Sequence, residues 1–207
     1  MSADKREHII NTAIELFAVK GFEGTSIRDL AATAGVNLAM INYYFGSKEK
    51  LFESIIDHKA AYSRDALASI ANDASMTQMQ KMDRVIENYV EKIFSNRHFH
   101  RVIYQEIMLS NRTQLKDHII NVIMKPNMLA IKGIFQAGID SGEFKDDIDV
   151  GLTAISLMGT INQIALSKTY CIKILEKGDN YVPYEDEEFK ERVTTHLKKL
   201  LRSHLLK

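Results

Sequence analysis

Only two prolines, Pro126 and Pro183, interrupt a chain of 207 residues, and glycine occurs only ten times. Such a chain, rich in Ala, Leu, Ile, Lys and Glu, holds little that stops a helix once it has started. No stretch alternates apolar and polar residues as a half-buried strand would. Apolar residues make up 45% of the sequence, which argues for a packed core and against disorder. The expectation is an all-α protein with one small and one medium domain.

Ile10, Ala13, Ile14 and Phe17 share one face of a first helix, expected at about 5–20 and closed by Gly21. Ser26 opens a second helix, with Asp29 placed as the partner of a capping box. Ile27, Leu30, Ala31 and Ala34 line its inner face, and Gly35 ends it. Asn37 suits the N-cap of a short third helix ending near Phe45 and Gly46. Ser47 then caps a fourth, in which Leu51, Phe52, Ile55, Ile56 and Tyr62 form a broad apolar stripe. Three helices with a glycine turn between the last two make either a tri-helical helix-turn-helix or a generic small bundle; spacing leaves both open.

Beyond Ile70 long helices with short polar breaks are expected. Met79, Met82, Ile86, Tyr89 and Ile93 step at three and four, 96–98 reads as a break, and a short apolar helix follows at 102–109. A helix at 115–139 should kink at Pro126. One long helix is expected over 148–175 and an amphipathic last one over 185–205, with a loop at 178–183 between them.

The order of residues narrows the choice. The run GFEGTSIRDLAATAGVNLAMINYYFGSKEKLF, residues 21–52, resembles the DNA-binding domain of the TetR family of transcriptional regulators (TetR/AcrR-like). The resemblance lies in Leu16-Phe17, the Gly21-Phe22 turn, Thr25-Ser26, the turn from Ala31 to Val36, and the signature Phe45-Gly46-Ser47-Lys48-Glu49. The rest of the chain is similar in style, including the segment GIDSGEFKDDID at 138–149. It implies a helix-turn-helix domain at 1–63, joined by a long helix to a helical ligand-binding and dimerisation domain at 64–207.

The residues agree with a recognition helix. With Ile41 inward, Phe45 and Tyr44 lean inward or flank the core, Ala39 and Tyr43 point outward, and Met40 and Asn42 lie at the sides. Asn42 can donate to and accept from an adenine edge; Leu38, Ala39 and Met40 offer only apolar contact, for instance to a thymine methyl. Asn37 completes the set at the start of that helix, and Arg28 can reach a guanine or a phosphate. Thr25, Ser26, Tyr43, Tyr44 and Lys48 read as phosphate clamps, positions that in the family commonly touch the backbone. Asn42 departs from the family's usual tyrosine and Leu38 from its usual polar residue, which bears on the operator read, not on DNA binding as such. The chain's net charge is zero, with 27 basic and 27 acidic residues. A DNA contact needs only a local patch, which a total does not reveal.

The resemblance also implies a homodimer, through a four-helix bundle from the last two long helices of each subunit, with Gly151, Ala154 and Gly159 allowing close approach. It implies a pocket for a small, largely apolar effector, for which Tyr89, Phe94, Tyr104, Met108, Met158, Asn162 and Gln163 are the candidates. No His-Glu-x-x-His, Gly-rich phosphate loop or cysteine pair occurs, so neither enzyme activity, a catalytic residue, a metal site nor a cofactor is expected. Cys171 is the only cysteine, the N-terminal residues lack a signal-peptide core, and the most apolar window is too short and polar for a membrane span. A cytoplasmic repressor, released from a palindromic operator by its ligand, is therefore expected. The alternative is an architectural or cell-division DNA-binding protein without an inducer.

Overall fold

The computed structural model describes residues 2–206, with side chains for 4–164 and 167–206. Among the described residues there are helices and turns and no strand. The helices are α1 (Ser2–Lys20), α2 (Ile27–Thr33), α3 (Leu38–Phe45), α4 (Lys48–Asn72), α5 (Gln78–Ser95), α6 (Arg97–Leu109), α7 (Thr113–Ile119), α8 (Lys125–Asp140), α9 (Val150–Leu166), α10 (Lys168–Ile174) and α11 (Glu187–Leu205).

They form two compact units. The first holds the chain up to Ser63 together with His98–Lys125; the second holds Arg64–Arg97 together with everything from Pro126 onward. The segment His98–Lys125, expected in the second domain, thus groups with the first. The reason is its apolar side chains: Phe99, Val102, Ile103, Leu115 and Ile119 are buried in one cluster with Ile10, Phe17, Leu30, Ile41, Phe52 and Ile56. Within it Phe17, Phe22 and Phe52 stack three ways, with centroids 5.3–5.4 Å apart. Burial of each such ring contributes roughly 1.5–3 kcal/mol.

The second unit wraps around α5. Met79, Met82, Ile86, Val90 and Ile93 meet Ile131, Ile134 and Phe135 of α8, Ala154, Leu157 and Ile161 of α9, and Phe189, Val193, Leu197, Leu201 and Leu205 of α11. The start of α5 is capped twice over. Thr77 and Gln80 form a capping box. Glu143, arriving from the turn after α8, accepts from the N–H groups of Gln78 and Met79, each at 2.9 Å. All four of the donors that a helix start leaves over, the N–H groups of Thr77, Gln78, Met79 and Gln80, are thereby satisfied.

Three boundaries differ from the sequence reading. The break at 96–98 shrinks to Asn96 alone, and α6 begins at Arg97. Ahead of Pro126 the helix widens into a π-turn, Ile120–Met124, since the proline ring has no N–H to give the preceding turn. The single helix expected over 148–175 is two, α9 and α10. Ser167 leaves the helical region (φ −126°, ψ 82°), and its hydroxyl accepts from the Tyr170 N–H, so it starts a new helix.

Candidate nucleic-acid interface

The geometry of the first unit's surface is set at two turns. Between α2 and α3 the chain reverses through Gly35, at φ 63°, where a side chain would be strained. Val36 donates back to the Ala31 carbonyl at 3.0 Å. Asn37 then restarts the helix, its side-chain oxygen accepting from the Met40 N–H at 2.8 Å. Gly46, at φ 77°, ends α3, and Ser47 caps α4 by accepting from the Lys50 N–H at 3.1 Å. α3 is thus defined at both ends within eight residues.

Its two faces separate as the helical spacing requires. Ile41 and Phe45 are buried. Met40 and Tyr44 are half-buried and pack against the core. Leu38, Ala39, Asn42 and Tyr43 are exposed, Tyr43 at 84%. The Tyr43 ring rests edge-on against Tyr44, centroids 5.4 Å apart. The result is a helical ridge carrying an amide, a phenol and two apolar contacts, chemistry that base edges in a major groove accept. Arg28 of α2 and its N-cap residue Ser26 are exposed as well. The Ser26 hydroxyl is engaged with the Asp29 carboxylate at 2.8 Å and with the Asp29 N–H at 3.0 Å. The Ser26 backbone N–H, donating to the same carboxylate at 3.1 Å, and then the Ser26 hydroxyl hold the Asp29 carboxyl below the usual carboxylate range.

Two expected phosphate clamps do other work. Thr25 is 0% exposed, and its hydroxyl donates to the Gly21 carbonyl at 2.8 Å, so it closes the α1–α2 turn from inside. The Lys48 ammonium donates to the carbonyls of Phe22 (2.9 Å) and Thr25 (3.1 Å) and lies 4.2 Å from the centre of the Phe22 ring. Two of its three donors hold that same turn.

Of the expected effector contacts, Tyr89, Phe94, Met158 and Asn162 lie in the second unit, where the Tyr89 hydroxyl donates to Asn162 Oδ1 at 3.3 Å. Burial pushes the Tyr89 phenol up to about 12, against the lowering pull of its bond to Asn162. Burial also lowers the Lys92 ammonium, one turn along α5. Phe94 packs against Tyr184 and Phe189. Gln163 is exposed on α9. Tyr104 and Met108 stand exposed on α6 in the first unit.

Sequence reasoning missed Arg112 and Glu106. Arg112 Nε donates to Glu106 at 3.1 Å, its Nη2 donates to the other Glu106 oxygen, and its Nη1 pairs with Glu23. Its guanidinium lies 3.8 Å from the Phe22 ring centre. No local pattern signals a contact across 89 residues.

Comparison with known proteins bears on the whole chain. Residues 9–55 match the family described as bacterial regulatory proteins, tetR family, and residues 49–172 match the YsiA-like protein C-terminal region. The chain belongs to the TetR family. As a TetR-family protein it is a DNA-binding transcriptional regulator. Its relatives include the probable HTH-type transcriptional regulator YttP of Bacillus subtilis, 29% identical over 144 residues, 69% of this chain and 67% of that protein. The fatty acid metabolism regulator protein of Bacillus subtilis is 28% identical over 159 residues, 77% of this chain and 80% of that one. The solved fold of FadR from Bacillus subtilis is similar, with a TM-score of 0.73 at 22% identity over 94% of this chain and 96% of that one. Among the described residues no His, Cys, Asp or Glu cluster fit for a metal occurs, and no single helix is long and apolar enough to cross a membrane.

Proposed function

We propose that this TetR-family chain is a homodimeric, cytoplasmic repressor. It grips a palindromic operator through α3 of each protomer and releases it when a largely apolar small molecule binds in the second unit. The observation that carries the DNA half is the exposed ridge of α3, with Leu38, Ala39, Asn42 and Tyr43 outward over buried Ile41 and Phe45. Asn42 reads a base edge, and Tyr43, Tyr44, Ser26 and Arg28 position the helix on the backbone, with Asn37 and Met40 at its start.

Dimerisation is supported by α9, where Leu152 and Ile155 are 62% and 61% exposed and Gly159 follows on the same face. Leu200 of α11 is also exposed. Apolar side chains of that size facing water favour a partner surface. Ala154 takes no part, since it is buried in its own unit.

For the effector, Tyr89, Phe94, Met158 and Asn162 supply an apolar surround with polar anchors. FadR from Bacillus subtilis was solved in complex with stearoyl-CoA. That likeness supports long-chain acyl thioesters as the effector class, with the apolar acyl chain, not the charged CoA half, taken by the surround of Tyr89, Phe94 and Met158. Ligand and DNA then oppose each other only by the difference in the ligand's affinity for the bound and free conformers. The test is a titration of stearoyl-CoA against the protein on a duplex it selects from a random pool. Release of the duplex, with two protomers per duplex beforehand, is expected. A duplex that stays bound at saturating thioester refutes the effector assignment.

A further inference from the structure

We propose that Arg112 is a positioning residue for operator binding, supplied to the DNA-binding unit from the α6–α7 connection. The inference rests on α2 and α3 forming the DNA face. Its substance is that the unit that grips DNA is completed by a residue far outside the helix-turn-helix sequence.

Each of the three nitrogens of the Arg112 guanidinium donates to a carboxylate. Nε and Nη2 form a fork on the Glu106 carboxylate, and Nη1 pairs with Glu23. Glu106 is only 4% exposed, so this fork is largely shielded from water and stronger than a surface pair. The Phe22 ring lies 3.8 Å away and is shared with the Lys48 ammonium at 4.2 Å. Lys48 in turn fixes the carbonyls of Phe22 and Thr25. The segment from Phe22 to Thr25 is therefore held by two cations, one from α4 and one from beyond α6. That segment ends at Ser26, the N-cap from which α2 sets out toward exposed Arg28.

Glycines flank the held residues on both sides of Glu23, so the turn has little stiffness of its own: Gly21 is at φ 74°, and Gly24 follows. Arg112 supplies that stiffness. A shift of α2 by a fraction of an ångström moves Arg28 and the α3 ridge off their contacts. Three of the five N–H donors of Arg112 are taken by the Glu106 and Glu23 carboxylates, which fix the guanidinium against the turn.

The test uses the full chain and a duplex that the unaltered protein enriches from a random pool. Arg112→Met alone strands the Glu106 carboxylate in a shielded site, which threatens folding. The informative variant is therefore Glu106→Gln with Arg112→Met. Dimer mass and thermal midpoint are checked first. Expected is a loss of operator affinity of about tenfold at every salt concentration, with the slope of log K against log salt unchanged. A slope lowered by about 1 means that Arg112 touches phosphate directly, and overturns the proposal. Unchanged affinity overturns it as well, because the pair then serves folding alone. Should the double variant not fold, Arg112→Lys decides. It keeps the charge but not the fork, and affinity between that of the unaltered protein and the loss above is expected; full affinity overturns the proposal. If the unaltered protein enriches no duplex, the DNA reading fails first and this inference with it.

Discussion

Tyr43 concentrates the residue-scale claim. Its ring is the most exposed of α3 yet is braced by Tyr44, so it is held for a purpose other than packing. Tyr43→Ala removes little buried surface, so thermal midpoint and dimer mass should stay nearly unchanged. Operator affinity should fall by about 1–3 kcal/mol, measured by fluorescence anisotropy. Unchanged affinity would remove α3 from the interface. The inward and outward sets of α3 were legible from periodicity alone, because a helix fixed at both ends has only one way to bury Ile41 and Phe45. The roles of Thr25 and Lys48 were not. A hydroxyl or an ammonium near a presumed DNA face reads as a phosphate clamp, and only coordinates show that carbonyls of the same turn already hold it.

At the scale of elements, caps decided more than propensity. The boxes at Ser26 and Thr77 follow from residue types three apart and could be read directly. Glu143 could not be, because it reaches α5 from 64 residues away. Burial alone would raise its carboxyl, but the N–H groups of Met79 and Gln78 outweigh that and hold it below the ordinary value of 4.5. A carboxyl lowered in the folded state stabilises fully above its unfolded value and loses that contribution as pH falls through the folded one. Glu143→Gln should therefore cost about 1 kcal/mol at pH 7, and the gap to the unaltered protein should close as pH falls from 4.5 through the lowered folded value. Urea midpoints across that range measure it; a gap independent of pH would mean that the carboxylate charge is not what caps α5. The break at Ser167 was missed for the opposite reason. The apolar run through 148–175 has no proline or glycine at the break, and a lone serine is weak punctuation until its hydroxyl is seen to cap α10.

For the whole molecule, the all-α class followed from the scarcity of breakers, and the two-part layout from the helix-turn-helix run. The grouping of His98–Lys125 with the first unit was hidden, since the apolar face of α6 does not say which core it joins. Dimerisation belongs to this scale. Leu152→Asp with Ile155→Asp should yield monomers by sedimentation, with the helical content kept. Operator affinity should fall by several orders of magnitude, since each half-site alone gives little specificity. A variant that remains dimeric would move the interface away from α9.

Selection of bound sequences from random duplex DNA by the purified protein, at two salt concentrations, tests the central claim most directly. The expected result is one enriched palindrome whose half-sites lie about a helical turn apart. Weak binding that collapses with salt and enriches no sequence would reduce the contact to the phosphate backbone and contradict a site-specific dimeric regulator.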